Sequence, residues 1–390
     1  MEGDCGTAIA TETAMMPPAW NASLVGASRS ADRLHTPALV LDLECFEVNV
    51  ARMVTIARSG QCRLRPHVKG PKSTAVAKAL VTAGAEGIAC ATVFEAETMA
   101  GAGLDDLLVT TPLVQQSSIE RLVGLAGWRK VVLVVDHPTA AEALSRESVA
   151  AGLVIPVLVD VDVGQRRTGV GTEADLVALA MRVNDLPGLR FGGIQAYYGH
   201  LQGVADHARR DTLAREQLQR LSAMVAELRR AGLPPEIVTG GGTGTATSDA
   251  SSCIFTELQP GSFPFIDAAY EKEDLAGDGT AGFRPALFVA STVINAAQPD
   301  RVTIDAGMKA IPTDGPAPRV VRSALRYEIA GDEFGFLYPA EGSETLPRLG
   351  DRVLIVPPHC DTALNLHRWL HVVRDGTVVD IWEIEARGEW

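Results

Sequence analysis

The sequence predicts an α/β protein, a (β/α)8 TIM-like barrel followed by a β-rich C-terminal domain. Through the first two thirds of the 390 residues, short apolar runs alternate with amphipathic segments, which indicates βαβ units and a parallel sheet. The alternation stops near Phe283, after which apolar runs are separated by turns alone. The chain is long enough for a barrel and a companion domain.

The N-terminal part of the chain carries the first elements. Residues 1–34 show no periodic apolar pattern, so we expect a poorly ordered tail. A strand-like run follows at residues 37–43 and a helical spacing at residues 46–58. We assign residues 35–285 to the barrel and residues 286–390 to the β-rich domain, with the strand at 37–43 a candidate partner of the C-terminal strands.

Eight apolar runs are the expected barrel strands. The clearest helix between them is at residues 212–230, where Leu218, Leu221, Val225 and Leu228 recur at helical spacing. A doubly wound dinucleotide-binding fold is the rival architecture. The eight strands are expected at residues 63–68, 87–91, 106–110, 131–135, 155–161, 189–196, 236–239 and 256–258.

The C-terminal domain is predicted from strand patterns without intervening helices. Asp375-Gly376 is a turn signal between two of the strands and predicts a hairpin. The expected strands are at residues 287–294, 301–305, 352–356, 369–373 and 378–385.

Composition excludes several classes of function. A formal net charge of −13 argues against a nucleic-acid-binding protein. The six cysteines lack the spacing of a disulfide framework, which favours reduced thiols and a cytoplasmic location. We see no secretory signal in the first twenty residues and no apolar run long enough to span a bilayer, so we expect a soluble protein.

Lysines are few, which limits the candidates for amine chemistry. Lys69 follows Pro66 and His67 where a predicted barrel strand ends, the face at which barrel enzymes place catalytic groups. Burial at the rim would lower the pKa of this amine, as Schiff-base formation requires. A plain surface lysine is the alternative. The six lysines are Lys69, Lys72, Lys78, Lys130, Lys272 and Lys309.

A glycine-rich segment, Val238-Thr-Gly-Gly-Gly-Thr-Gly-Thr-Ala246, follows a later strand. Glycines allow close backbone approach to a phosphate, and exposed N–H groups and threonine hydroxyls are donors for it. The segment lacks the GK[ST] ending of a nucleotide-binding loop. Glu257-Leu-Gln-Pro-Gly-Ser-Phe263 follows one strand later and is placed to close the same pocket. An ordinary turn remains the alternative.

His359 and Asp361 form the candidate metal site. In an extended segment, residues i and i+2 project to one side, so these two side chains would converge while Cys360 points away. One imidazole and one carboxylate suit a divalent cation completed by water, such as Mn²⁺, Mg²⁺ or Zn²⁺. A chance pair at the surface is the alternative.

Two more strand ends carry polar residues. Arg167 follows one strand and can neutralise a cofactor oxygen. Gln195 ends the next strand, and His200 lies five residues further on as a candidate acid or base. Polar rim residues of an unrelated barrel remain the other interpretation.

Together these residues resemble the family of D-threonine aldolases, D-3-hydroxyaspartate aldolases and D-serine dehydratases, which have the alanine-racemase fold. The resemblance extends from about Thr36 to the C-terminus, and Pro71 before Lys72 departs from the family pattern. It is carried by five motifs, Arg65-Pro-His-Val-Lys69, Gly240-Gly-Gly-Thr-Gly244, Glu257-Leu-Gln-Pro-Gly-Ser262, Asp305-Ala-Gly-Met-Lys309 and His359-Cys-Asp361.

The resemblance implies a pyridoxal 5'-phosphate site. Lys69 would be the Schiff-base lysine with His67 beside it, Arg167 would lie near the phenolic oxygen, and Gln195 would face the pyridine nitrogen. The phosphate would be held by Thr243, Gly244, Thr245, Gly261 and Ser262. Dehydratases of the group resemble His-x-Cys at the metal motif and aldolases His-x-Asp, which His359 and Asp361 match.

The resemblance implies a carbon–carbon lyase whose substrate is a small D-3-hydroxy amino acid. A metal at His359 and Asp361 would bind the 3-hydroxyl, His200 would be the base, and glycine and an aldehyde would leave. The family fold suggests a homodimer. The alternatives are β-elimination of D-serine or 3-hydroxyaspartate, a metal-free racemase, a non-catalytic cofactor-binding protein, which would lack the C-terminal domain, and a nicotinamide dehydrogenase, which would need an early GxGxxG motif.

Overall fold

A barrel of parallel strands forms the first sheet of the computed structural model, which describes residues 16–340 and 345–388. Its strands follow one another around the sheet in chain order, which differs from the order of a doubly wound fold. The strands are β2 Arg63–Leu64, β3 Ile88–Cys90, β4 Leu107–Val109, β5 Val131–Val135, β6 Ile155–Val161, β7 Leu189–Ala196, β8 Ile237–Gly240 and β9 Glu257–Leu258.

The barrel closes where the chain continues beyond β2. The Ala89 N–H donates to the Pro66 carbonyl at 3.0 Å, and the Val68 N–H donates to the Ala89 carbonyl at 2.8 Å. The regular strand is nevertheless shorter than the expected 63–68, because Pro66 has no N–H for a continuous ladder. Strand β5 is buried at every position, which explains its unbroken apolar sequence.

Helices cover the outside of the barrel. Several of these helices begin at a side-chain cap: Thr92 accepts from the Glu95 N–H at 3.1 Å, and Asp206 accepts from the Arg209 N–H at 2.7 Å. The helix expected at 212–230 begins earlier, at this Asp206 cap. The helices around the barrel are α2 Leu43–Ser59, α3 Thr74–Thr82, α4 Val93–Gly101, α5 Gln116–Ala126, α6 Pro138–Ala150, α7 Glu173–Asp185, α8 His207–Arg230 and α9 Ala246–Ser251.

Within residues 16–340 and 345–388, the second sheet contains nine strands. Strand β1, Ala38–Asp42, lies in it between β10, Leu287–Asn295, and β16, Trp369–Arg374, with antiparallel and parallel pairing respectively. The remaining strands of the sheet are β11 Val302–Ile304, β12 Arg319–Val320, β13 Arg326–Ile329, β14 Gly335–Tyr338, β15 Arg352–Val356 and β17 Thr377–Glu383, and helix α10 Cys360–Leu366 precedes β16. Six of the strands close into an antiparallel ring in the order β10-β11-β14-β13-β12-β15.

The hairpin expected at Asp375-Gly376 is present, since β16 and β17 pair antiparallel around it and both turn residues have positive φ. Strands β12 to β14 were not expected. Each has only two to four residues, and β13 buries Tyr327 alone, so runs of this length contain too few positions to show an alternation.

The expectation of a poorly ordered tail is wrong for residues 16–34, whereas residues 1–15 lie outside the described residues. Helix α1, Ala19–Ala22, and a turn of 3₁₀ helix pack against the second sheet, where Leu24 and Leu34 are buried. Two isolated leucines supply the apolar part of this contact, and hydrogen bonds such as Gly26 N–H to the Val378 carbonyl supply the rest, so no periodic pattern in the sequence indicates it. Among the described residues, no helix combines the length and apolar character needed to cross a bilayer.

Candidate active site

A cavity of about 460 Å³ opens at the carboxyl ends of the parallel strands. Because those ends meet at one face of the barrel, residues far apart in sequence line the cavity together. Among the residues expected from the sequence, the lining includes His67, Lys69, Arg167, Gln195, Thr243, Gly261 and Ser262. Residues that sequence reasoning missed are also there, namely Thr110, Tyr197, Gly241, Gly242, Gln259 and Tyr270.

Lys69 lies just beyond β2 with 46% of its side chain exposed. Its backbone N–H donates to Nδ1 of His67 at 3.2 Å, and Nε2 of that buried ring lies 3.1 Å from the Thr110 hydroxyl. Burial, reinforced by the nearby Lys69 ammonium, lowers the pKa of His67 to about 3. His67 is therefore a neutral imidazole beside the lysine.

The Lys69 ammonium contacts the carboxylate of Asp361. Partial burial by itself lowers the pKa of Lys69, but Asp361 outweighs it and the pKa lies above its ordinary value. The expectation of a lowered lysine pKa is therefore wrong, because the sequence did not show which carboxylate meets this amine. Burial raises the pKa of Asp361, and the charge of Lys69 more than offsets it, so this carboxyl stays ionised.

The glycine-rich segment forms a tight loop after β8, which we call the cradle: residues 240–245 together with Gly261 and Ser262. Gly240 and Gly241 have φ of +154° and +74°. A Cβ at Gly240 would lie 1.8 Å from the Ala196 carbonyl oxygen, and one at Gly241 would lie 2.5 Å from a carboxylate oxygen of Asp249. Both positions therefore require glycine.

Within the cradle, the two threonines differ. Thr243 is buried, and its hydroxyl has no hydrogen-bond partner, which leaves a donor available to a bound group. The Thr245 hydroxyl instead donates to Asp249 at 2.7 Å, and the Gly244 N–H donates to Gln202 Oε1 at 2.8 Å. Neither Gly244 nor Thr245 lines the cavity, and the polar groups of both already have partners inside the protein, so their assignment to the phosphate stays a prediction.

Arg167 and Tyr197 lie on one wall of the cavity. The Arg167 guanidinium carbon is 5.7 Å from the centre of the Tyr197 ring. His200, the base expected from the sequence, is exposed on the turn that follows β7 and does not line the cavity. The chain turns after Tyr198, so the structure brings Tyr197 rather than His200 to the site.

The 359–361 segment is not extended, contrary to expectation. His359 is the N-cap of helix α10, and Asp361 lies in its first turn. His359 Nδ1 lies 2.7 Å from Asp314 Oδ2, and the Thr362 hydroxyl donates to the other oxygen of Asp314 at 2.6 Å. With Nδ1 so paired, Nε2 is the nitrogen of His359 that remains available.

Metal-ligating side chains are sparse here. In the part of the chain that the structure describes, no group of three or more His, Cys, Asp or Glu side chains is arranged to hold a metal ion. Any cation at His359 and Asp361 would take its other ligands from water or substrate, as Mg²⁺ and Mn²⁺ commonly do.

Sequence reasoning missed the residues that only the fold brings to the site. Tyr270 and Asp314 belong to segments without any motif, and no pattern could have identified them. Gln259 and Gly241 lie inside the motifs already quoted, so the signal for these two was present in the sequence.

Family comparisons agree with this architecture. Residues 41–268 match the model described as the alanine racemase N-terminal domain, and residues 286–373 match a putative serine dehydratase domain. A D-threonine aldolase from Arthrobacter sp. is 41% identical over 358 residues, which is 91% of this chain and 93% of that protein. A 3-hydroxy-D-aspartate aldolase from Paracoccus denitrificans (strain Pd 1222) is 34% identical, with 91% and 93% covered.

One relative, a dehydratase, is less similar in sequence than these two aldolases. The D-threo-3-hydroxyaspartate dehydratase of Delftia sp. (strain HT23) is 29% identical, with 90% of this chain and 97% of that protein covered. Among solved structures, the D-threonine aldolase from Filomicrobium marinum matches with a TM-score of 0.88 and 38% identity, covering 91% of this chain and 96% of that one. Both the sequence and the whole two-sheet architecture are therefore shared with aldolases.

Proposed function

This chain belongs to the family of D-threonine aldolases and 3-hydroxy-D-aspartate aldolases, and on that premise we propose that it cleaves D-3-hydroxy amino acids to glycine and an aldehyde with pyridoxal phosphate and a divalent cation. One observation carries the proposal: Lys69 lines the same cavity as the cradle, in which the Thr243 hydroxyl has no partner, and the Lys69 amine contacts the Asp361 carboxylate. The chain is a carbon–carbon lyase of this family.

The cavity fits pyridoxal phosphate. The cradle offers the unpartnered Thr243 hydroxyl and a backbone that only glycine permits, as a phosphate group requires. When bound, this cofactor supplies an electron sink for cleavage of the Cα–Cβ bond. Lys69 would hold it covalently, and the phosphate would lie against Thr243, Gly261 and Ser262.

Three neighbours of Lys69 would orient the ring. His67 is neutral and buried, so it adds no charge beside the amine. The positively charged guanidinium of Arg167 is suited to the phenolic oxygen of the cofactor, and the buried polar side chain of Gln195 is suited to its ring nitrogen. Tyr197, against which Arg167 packs, adds an aromatic wall that excludes water.

We propose that His359 and Asp361 hold Mn²⁺ or Mg²⁺, with Zn²⁺ as the softer alternative. The fit rests on the donor set: Asp361 is ionised, and Asp314 orients His359 so that Nε2 is free. Such a cation, held by these two residues, would supply a Lewis acid for the substrate's 3-hydroxyl. His200 stays the predicted proton acceptor, although it lies outside the lining of the cavity.

β-Elimination on the same scaffold is the second candidate, since a dehydratase is among the relatives. The aldolase is better supported because the D-threonine aldolase and the 3-hydroxy-D-aspartate aldolase, at 41% and 34% identity, are more similar to this chain than the dehydratase at 29%, and position 361 is an aspartate. A non-catalytic cofactor-binding protein is disfavoured because the chain carries the second sheet.

Two further proposals concern the state of the protein. We propose a homodimer, supported by the family resemblance and tested by light scattering on the purified protein. We also propose a cytoplasmic location, supported by the free thiols of the described cysteines Cys45, Cys62, Cys90, Cys253 and Cys360.

Product analysis tests the proposed function. The purified protein, loaded with pyridoxal phosphate and Mn²⁺, should release glycine and acetaldehyde from D-threonine in equal amounts. EDTA should stop the reaction, and Mn²⁺ or Mg²⁺ should restore it. Ammonia and a keto acid as products would establish the dehydratase instead, and activity unaffected by EDTA would remove the metal from the proposal.

A further inference from the structure

A buried carboxylate behind the cavity connects two of its walls. Asp160, near the end of β6, is only 4% exposed and does not line the cavity. One of its oxygens accepts from the Gln195 amide at 2.9 Å, and the other accepts from the Thr168 hydroxyl at 2.7 Å. A carboxylate is costly to bury unless such donors compensate it, so these two contacts fix its place.

The contact with Asp160 determines which atom Gln195 can offer. The side-chain amide of Gln195 has two N–H donors, and it donates to Asp160 and to the Thr110 carbonyl, the latter at 3.0 Å. Only Oε1 is left, and Gln259 approaches it at 3.5 Å, which is long for a hydrogen bond. Because a carbonyl oxygen has two lone pairs, Gln195 presents an acceptor, and no donor, to the cavity.

The same carboxylate holds the Arg167 loop. Thr168, which donates to Asp160, also lines the cavity directly beside Arg167. The Val170 N–H donates to the backbone carbonyl of Asp160 at 2.9 Å, so the loop is tied down on both sides of Gly169. Asp160 therefore holds both the Gln195 amide and residues 168–170 of the loop that carries Arg167.

We propose that Asp160 is a positioning residue that turns the Gln195 amide oxygen toward the ring nitrogen of pyridoxal phosphate, so that this nitrogen is kept protonated. The inference rests on the proposed function. An acceptor at the nitrogen stabilises its N–H form, and a protonated ring withdraws electrons more strongly than a neutral one. Carbon–carbon cleavage, which leaves an electron pair on Cα, benefits directly.

The charge state of Asp160 is compatible with this role. Burial raises the pKa of Asp160 to about 6, although the hydrogen bonds from Gln195 and Thr168 lower it. At about pH 8 the carboxyl is ionised and accepts from both donors.

The test is the ¹⁵N chemical shift of the ring nitrogen in enzyme loaded with [¹⁵N]pyridoxal phosphate, measured at about pH 8. The wild-type protein should show the shift of a protonated ring. In Asp160→Asn the signal should move toward the unprotonated value, because the new amide no longer imposes one orientation on Gln195. Asp136→Asn is the matched control: Asp136 accepts from Gly169 in the same loop at 3.2 Å and is not bonded to Gln195, so the wild-type shift is expected.

Gln195→Leu supplies a second variant in case Asp160→Asn does not fold, and circular dichroism reports folding for each. Removing the acceptor should produce the same movement of the signal. A wild-type signal at the unprotonated value, in a protein that holds the cofactor on Lys69, overturns the inference and leaves the proposed function standing. An Asp160→Asn signal equal to wild type also overturns it. Failure to bind pyridoxal phosphate would instead refute the proposed function itself.

Discussion

The cradle and the 359–361 segment are constructed in different ways. The cradle is made of backbone, and its shape depends on glycines that no other residue can replace. The 359–361 segment is made of side chains, His359 and Asp361, held by Asp314 and Lys69. The two regions should therefore be sensitive to different substitutions. The cradle depends on the packing of its backbone, whereas the 359–361 segment depends on single functional groups.

Removing a functional group from the 359–361 segment should have the largest effect. In Asp361→Ala we expect kcat for D-threonine to fall at least about 10²-fold, since a Lewis-acid metal contributes several kcal/mol to the transition state. The absorbance of bound cofactor should persist, because the cradle is untouched. Asp332→Ala, an exposed carboxylate 3.6 Å from Lys309, is the control. Full activity in Asp361→Ala would contradict the metal site.

Asp314 offers a milder change in the same segment. Asp314→Asn should weaken Mn²⁺ binding by about 10–100-fold, because the partner that orients a ligating histidine is lost. Competition with a fluorescent chelator measures this affinity directly. If Asp314→Asn binds Mn²⁺ as the wild type does, His359 is not a ligand through Nε2.

The loss of stability in acid should report how completely water is excluded from the buried His67 ring beside Lys69. The pKa of His67 is lowered to about 3 in the folded protein, against an unfolded value of about 6.5. Its contribution to stability is therefore complete above pH ~6.5 and is lost as the pH falls toward the folded pKa. Between pH ~6.5 and ~5 the wild type should lose about 2 kcal/mol more than His67→Asn. Denaturant unfolding measures the difference, and an exposed-site control, His35→Asn, should behave as wild type.

Substitution of the two cradle threonines should change different properties, cofactor binding for Thr243 and protein stability for Thr245. Thr243→Ala should weaken pyridoxal phosphate binding by about 1–2 kcal/mol while the stability of the cofactor-free protein stays unchanged, since its hydroxyl has no protein partner. Thr245→Ala should lose about 1–3 kcal/mol of stability, because the buried Asp249 carboxyl loses one of its donors and keeps the Tyr198 hydroxyl. Equal effects of the two changes on cofactor affinity would contradict this division.

Much of the fold follows from the sequence because periodicity and turn chemistry are local. The barrel strands, the hairpin at Asp375-Gly376 and the late β-rich sheet were all predicted from such patterns. Strands β12 to β14 and the packed residues 16–34 were not, because short, half-exposed elements leave too few buried positions to form a pattern.

Site residues that lie in sequence motifs could be predicted, whereas residues that only the folded chain brings together could not. Lys69 and Thr243 lie in motifs, and both line the cavity. The contact between Lys69 and Asp361 joins residues 292 positions apart, so the raised pKa of the lysine could not be foreseen. Asp160 and Asp314 act through other residues, and such partners have no motif.

The most direct test of the account is to find the residue that holds the cofactor. Holoenzyme reduced with borohydride and digested with trypsin should carry the pyridoxyl label on the peptide that contains Lys69, and Lys69→Ala should carry none while remaining folded. Label on Lys72 or Lys309 would place the cofactor outside this cavity. Either result, or an unlabelled wild-type protein, would contradict the assignment of the cavity as the active site.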